Sequence, residues 1–426
     1  NYGVHEVVNG KFKVLKSSAF YGANASGKSN LIKALWFIKN FISRGAVKFQ
    51  TGDRITGFKP FLLDEKTLNE PSFFEIDFLA PNPKSKVEND LIRFQYGFTV
   101  DSKKVRSEWL YAYPHGRAQT WFTREDNKFV WKKEFAGKNK SISEKTGENI
   151  LYLSKAGGQE NHPLLKSLFF WIKEKLRFID MDGQEVSPVF SAKIASENSE
   201  AKKFIADLLF KADTGVKDFS IEFKKIEKKD LAEDFISKLD EKDLEEILGK
   251  QALDLSLKHI KKDGTLVPLN FRTDESLGTQ KLFALAGPWY DCLKNGNILF
   301  VDEFGSGMHP LLAKELIKLF NSDLNTNGAQ IIFCSHDTHL LHLEVLRRDQ
   351  VWLVEKNNEG ESKYCSLWDY KPRKDESLEK GYLSGRYGGI PYLQELMIKF
   401  PNNQDGGVEN VKESKAKRSS KIKKTK

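Results

Sequence analysis

Cysteine is almost absent. Only Cys292, Cys334 and Cys365 occur in 426 residues. They are isolated and odd in number, so they offer neither a disulfide framework nor a zinc spacing, and a reducing, cytoplasmic setting is expected. Long apolar runs are missing too. The longest, LLKSLFFWIKEKL from Leu164 to Leu176, is broken by lysines. It falls well short of the ~20 apolar residues that a membrane helix needs. No signal peptide is visible, and no membrane association is expected. There are no heptads sustained enough for a long coiled coil, and no internal repeat. Charge is plentiful: 30% of residues are Asp, Glu, Lys or Arg, and the mean hydropathy is −0.51. The 39% of hydrophobic residues still suffices for a buried core. The length allows two to three domains, or one large domain with insertions.

The net charge of +9 is unevenly placed. Residues 412–426, KESKAKRSSKIKKTK, hold eight Lys/Arg and one Glu, a charge of +7, which leaves +2 for the remaining 411 residues. The body is therefore close to neutral. The tail, from 398 to 426, reads as disordered and solvated, with contact to nucleic acid as the other reading. The chain opens at Asn1 as if entered midway. An N-terminal segment with at least one strand is expected to be missing.

The segment VLKSSAFYG reads as a strand entering a glycine loop. A helix is expected from Lys28 to Arg44, with Leu31, Leu35, Ile38 and Ile42 at helical spacing and Gly45 as its stop. Alternating strands with Asp/Asn/Pro/Gly turns predict an antiparallel sheet over about 70–135. Residues 160–213 read as mainly helical. A charged amphipathic helix pair is expected between Glu227 and Lys250. Asp263-Gly264 marks a hairpin. NILFVDE, AQIIFCSH and QVWLVEK are apolar runs of the kind buried parallel strands show, and PLLAKELIKLF is a helix. The expected divisions are 1–159, 160–254, 255–397 and the tail 398–426. The fold class is α/β, with a parallel core sheet, an antiparallel β subdomain and an inserted helical subdomain.

Four motifs carry chemistry. Gly22, Gly27, Lys28 and Ser29 fit G-x-x-x-x-G-K-[ST]. Glycines let backbone N–H groups approach phosphate oxygens, and the following helix N-terminus adds its dipole. Gly22, Asn24, Ser26, Gly27, Lys28, Ser29 and Asn30 are the candidate nucleotide-binding residues. Lys28 is placed on the β- and γ-phosphates of ATP and Ser29 on Mg²⁺. Asp302 and Glu303 end an apolar strand, where parallel sheets place their ligand crevice. Asp302 is expected to hold Mg²⁺, and Glu303 to orient or deprotonate an attacking water. His336 follows the next strand and is placed to sense the γ-phosphate. Ser276, Gly278 and Thr279 open a helix and suit an anion or a simple N-cap.

The order of these motifs resembles the ABC-type ATPase head, a class that includes SMC-like and RecF-like heads. There the serine-glycine signature is completed in trans, so the resemblance implies two composite sites at an ATP-bridged homodimer, with Ser276, Gly278 and Thr279 covering ATP held by the partner. LKSSAFYGANASGKSNLIKAL, ESLGTQKLFALAG, ILFVDEFGSGMHPLLAKEL, IIFCSHDTHLL and GRYGGIPYL together resemble the stand-alone ABC-type AAA ATPases of prokaryotic phage-defence and abortive-infection operons, RloA-like and AbiL-like and related to the PARIS ATPase. This resemblance spans about residues 10–397.

The resemblance implies a slow ATPase, homodimeric or of higher order, that acts as sensor or scaffold for a separately encoded effector, a Toprim or RloB-like nuclease. No acidic nuclease cluster is visible, and no nuclease domain is expected after Leu393. Two departures weaken the case for fast turnover: Leu277 replaces a glycine common in such heads, and His309 falls where transporters carry an aspartate. Gln159 is the candidate for a glutamine loop, and Arg386 has no assigned role. The alternative is a DNA-repair or chromosome-maintenance head of SMC-like or RecF-like type. A transporter's energising subunit fits less well.

Overall fold

The computed structural model describes residues 3–7, 12–50, 52–87, 90–179, 187–227, 248, 251–373 and 376–391. The chain begins with a hairpin, β1 (Val4–Val7) and β2 (Phe12–Leu15), and then β3 (Ser17–Gly22). The helix after the glycine loop, α1, runs Lys28–Lys48, past the stop expected at Gly45. Gly45 is buried inside it. A Cβ there would lie 3.2 Å from the Phe41 ring, and the neighbouring Ala46 N–H donates to Ser154 Oγ at 3.1 Å. This glycine permits close packing rather than ending the helix.

After the short α2 (Glu65–Asn69) come β4 (Ser72–Pro81), β5 (Leu91–Val100), β6 (Val105–Tyr113), β7 (Gln119–Glu125) and β8 (Lys128–Trp131). They form the expected antiparallel sheet in simple sequential order. The helices α3 (Asn139–Glu144), α4 (Tyr152–Gly158) and α5 (Leu165–Lys175) follow. The segment expected to be helical then yields a strand, β9 (Leu176–Ile179), before α6 (Val189–Glu197) and α7 (Ser199–Lys211). Next are β10 (Val216–Lys225), β11 (Gln251–Ile260) and β12 (Leu266–Asn270), an antiparallel sheet whose second turn is the expected Asp263-Gly264 hairpin. The expected helix pair between Glu227 and Lys250 lies outside the described residues, apart from Glu227 and Leu248, and so does the basic tail.

The last part holds α8 (Leu277–Asn295), β13 (Ile298–Val301), α9 (Pro310–Asn321), β14 (Gln330–Cys334), β15 (Val351–Lys356), β16 (Ser362–Ser366) and α10 (Leu378–Leu383). The central sheet has the order β16-β15-β3-β14-β13-β9. All its pairings are parallel except β15 with β16. No helix among the described residues is long and apolar enough to cross a membrane.

Strand alternation sends the side chains of this sheet into two cores. Ala19 and Tyr21 of β3, Leu299 and Val301 of β13, and Val351 and Leu353 of β15 face the core shared with α6 to α9. Phe20, Phe300 and Val354 face the other core, which also takes in α1, α4, α5 and the antiparallel sheet. Helix α1 is sandwiched there. The ring of Phe37 lies 5.0 Å from that of Phe74, tilted against it, and that of Phe41 lies 5.5 Å from that of Phe98. Fully burying each such ring contributes about 1.5–3 kcal/mol.

One buried ion pair joins this sheet to α4. Glu108 and Arg124 are both fully buried, 3.7 Å apart. Glu108 accepts from Tyr96 Oη, Tyr152 N and Leu153 N, while Arg124 donates to the carbonyls of Ile150 and Asp126. Removing one partner leaves the other charge buried and unmatched. Glu108→Ala is therefore expected to cost about 3–5 kcal/mol, read as a lower urea midpoint at unchanged slope.

Candidate functional site

The phosphate loop is shaped by close backbone approaches. A Cβ at Gly22 would lie 2.3 Å from the Val354 carbonyl oxygen, and one at Gly27 would lie 2.0 Å from Ser362 Oγ. Ala25 and Gly27 have φ of +61° and +108°. Two groups of the β15–β16 hairpin brace the turn: Ser362 Oγ donates to Ser26 O at 2.6 Å, and Tyr364 Oη to Gly27 O at 3.0 Å. Helix α1 starts at Gly27 with no side-chain cap. The N–H groups of Lys28 and Ser29 are thus left for an incoming acceptor, while that of Asn30 donates to Gly27 O at 3.0 Å. Ser26 Oγ is buried in the same loop without a hydrogen-bond partner.

Parallel pairing lines up the strand ends. A pocket of about 500 Å³ is walled by Asn24 to Asn30, by Asp302 and Glu303 after β13, by Cys334 at the end of β14 with Ser335 and His336 after it, and by Lys356 at the end of β15. Ser29 Oγ donates to Asp302 Oδ1 at 3.1 Å. The same Oδ1 accepts the Glu303 N–H at 3.1 Å. Glu303 has φ of +50°, a conformation that costs a non-glycine residue about 1–3 kcal/mol and clusters at functional sites. Ser335 Oγ donates to Phe304 O at 2.7 Å and accepts from Asp337 N at 3.0 Å, which fixes the turn that carries His336.

Lys28 is buried, and its ammonium donates to Gly22 O at 2.8 Å and Ala23 O at 3.0 Å. Burial lowers its pKa, and the neighbouring acids oppose that shift. Partial burial and then the Lys28 charge hold the His336 imidazole below its ordinary 6.5. It is therefore neutral at pH 7, with one nitrogen free to accept and one to donate. Burial pushes the Cys334 thiol well up, so it is an inert wall.

A family model described as "AAA domain, putative AbiEii toxin, Type IV TA system" matches residues 17–139 and 180–342, more than half of the chain. The chain belongs to this AAA family. No curated protein matches its sequence. Among solved structures it is similar to an SMC head bound to the C-terminal winged-helix domain of ScpA, at 16% identity and a TM-score of 0.42, covering 86% of this chain and 97% of that one. It is also similar to the SMC head domain of Thermotoga maritima (13% identity, TM-score 0.36, 85% and 95% covered). A further likeness is to CbiO1 of Clostridium perfringens, part of an ABC transporter complex (13% identity, TM-score 0.29, 91% and 97% covered).

This AAA chain brings Asn24, Ser26, Gly27, Lys28, Ser29, Asn30, Asp302, Glu303 and His336 into one pocket, with Gly22 as the Lys28 partner at its base. Ser276, Gly278 and Thr279 are not part of that wall. Ser276 caps α8, its Oγ accepting the Thr279 N–H at 3.1 Å. Gly278 sits beside the loop after Glu303, where a Cβ would lie 3.8 Å from Gly307 O, and Lys281 Nζ donates to Ser306 O at 2.6 Å. Leu277 is 76% exposed, and His309 caps α9. Gln159 bonds Ala46 O and Lys155 and is absent from the pocket wall.

Sequence reading missed Lys356, Ser362 and Tyr364. The strand-end position of Lys356 was the available signal, since it ends a run identified as a parallel strand. Two outcomes are expected. Glu303→Gly relieves the positive φ and raises stability by about 1 kcal/mol, read by urea unfolding, while abolishing any turnover. Titration of the His336 ring by NMR gives a midpoint below 6.5. Because folding depresses this pKa, the group lowers stability as pH falls through 6.5.

Proposed function

We propose that this chain binds ATP with Mg²⁺, dimerises around it in the manner of an ABC-type head, hydrolyses it slowly, and acts as the sensor or scaffold subunit of an antiphage defence system that controls a separate nuclease effector. The observation that carries the nucleotide part is the convergence of the phosphate loop with Asp302, Glu303 and His336 on one pocket. The cradle fits a polyphosphate: its helix N-terminus is uncapped, and Ser26 Oγ is buried without a partner. Ser29 and Asp302, hydrogen-bonded across the pocket, are hard oxygen donors suited to Mg²⁺. Bound there, Mg²⁺ neutralises charge on the phosphates. Lys28 leaves the Gly22 and Ala23 carbonyls for phosphate oxygens. Glu303 orients or deprotonates the attacking water, and neutral His336 hydrogen-bonds the γ-phosphate.

The second half of each site is assigned to Ser276, Gly278 and Thr279 of a second copy. Ser276 is exposed at a helix start beside the Glu303 loop, which supports that role, while Thr279 is buried and hydrogen-bonded to Ser276. The family description, which names a toxin of a type IV toxin–antitoxin system, supports a place in a two-component defence module. The near-neutral body favours this over a head that grips duplex DNA, whose affinity would fall steeply with salt.

Glu303→Gln is expected to retain ATP and to double the mass in light scattering when ATP is added. Lys28→Ala is expected to weaken ATP binding about tenfold or more. An unchanged mass for Glu303→Gln saturated with ATP contradicts the composite site. Co-purification with the product of the neighbouring gene tests the effector. Protection against phage by this chain alone, with no neighbour bound, would overturn that part.

A further inference from the structure

Residues 376–390, which include the GRYGG turn, bond both to the strand β15 and to the loop that carries His336. The segment from Glu376 to Ile390 is held together internally by one carboxylate. Glu376 Oε1 accepts from Arg386 Nη1 at 2.5 Å and from Tyr387 Oη at 2.7 Å. Tyr387 is buried, and a Cβ at Gly381 would lie 2.5 Å from its ring. Tyr382 Oη closes the turn on Gly389 O at 3.1 Å.

Two attachments leave this unit. At one end the Gly389 N–H donates to Glu355 Oε1 at 2.5 Å, on the strand residue just before Lys356. Gly388 has φ of +75°, and a Cβ there would lie 2.0 Å from Glu355 Oε1. A Cβ at Gly389 would lie 3.7 Å from the Cα of Gly22, the first glycine of the phosphate loop. At the other end Thr338 Oγ1, two residues past His336, donates to Glu379 Oε1 of α10 at 2.8 Å. Between them Tyr21 of β3 donates to the Asp337 carbonyl at 3.0 Å, and its ring lies 5.8 Å from that of Tyr382.

We propose that residues 376–390 are a strap that positions His336 against the phosphate loop, with Glu379 and Glu355 as its two anchors. Neither glutamate touches the pocket wall, so both are positioning residues. The Thr338–Glu379 bond, which needs only an acceptor oxygen at that position, sets the backbone that carries His336. The Glu355–Gly389 bond sets the unit against the strand beside Gly22. Arg386 then acts inside the strap, through Glu376, and not on a ligand.

This proposal rests on the nucleotide reading only for its kinetic consequence, so it is tested first without nucleotide. In hydrogen exchange of the full chain, Thr338→Val, which keeps the side-chain shape, is expected to speed exchange about tenfold over residues 335–341 and in α10. Glu379→Gln, whose amide oxygen still accepts from Thr338, is expected to exchange like the wild type, while Glu379→Ala matches Thr338→Val. In ATP turnover, Thr338→Val and Glu379→Ala are expected to lower kcat about tenfold with ATP affinity within about twofold, and Glu379→Gln to restore kcat. Wild-type exchange in Thr338→Val, or equal damage from Glu379→Gln and Glu379→Ala, overturns the strap. A strap that passes the exchange test in a protein that binds no ATP overturns the nucleotide reading instead.

Discussion

The hydrogen bond from Ser29 to Asp302 joins residues 273 positions apart in the chain, and the pocket depends on it. It exists because β3 and β13 run parallel with only β14 between them, so that both strands deliver their C-terminal ends to the same edge. Asp302 then serves two neighbours with one oxygen. It accepts from Ser29, and it accepts the backbone N–H of Glu303, whose positive φ it helps to hold. A strained acidic residue beside a phosphate cradle is the sort of local cost that a site retains when the geometry is needed.

The cradle is rigid for a different reason. Its glycines face atoms, not solvent: Gly22 meets the Val354 carbonyl and Gly27 meets Ser362. The β15–β16 hairpin therefore works as a brace, with Ser362 donating to the Ser26 carbonyl and Tyr364 adding a second donor to the Gly27 carbonyl, which also accepts from the Asn30 N–H. Residues 376–390 add two further attachments, the GRYGG turn to Glu355 of β15 and Glu379 of α10 to Thr338 in the loop that carries His336. The phosphate loop, the loop after β14 and the end of β15 are thereby each fixed to a neighbour outside the pocket.

Beneath the pocket, α1 couples the site to the antiparallel sheet. Its phenylalanines interlock with those of β4 and β5, and its start is the phosphate loop itself. On the far side of the sheet, α8 carries the Ser276 cap, its Lys281 bonded to the loop after Glu303. Helix α8 packs in one core and α1 in the other, while β3, which leads into the phosphate loop, sends side chains into both.

Much of this was legible in the order of residues. Apolar runs that end in Asp302-Glu303 and Ser335-His336 identified buried parallel strands, because strands covered on both faces need continuous apolar sequence. The alternation over about 70–135 identified the antiparallel sheet, and the glycine loop before an amphipathic helix identified the cradle. Other features depend on neighbours distant in the chain. β9 is four residues long and follows α5 directly, so its apolar residues read as one more helical turn until β13 pairs with it. Gly45 signals a stop, yet the helix continues because Phe41 and Ser154 need the space beside it. Lys356, Ser362 and Arg386 are ordinary polar residues in sequence. Only the placement of β15 against β3 brings Lys356 to the pocket and Ser362 to the Ser26 carbonyl, and only the folding of Glu376 over the last turn gives Arg386 its partner. Residue type and local period determined the elements and the chemistry at their ends. Long-range pairing decided which of those ends meet, because a hydrogen bond between strands has no counterpart in local sequence.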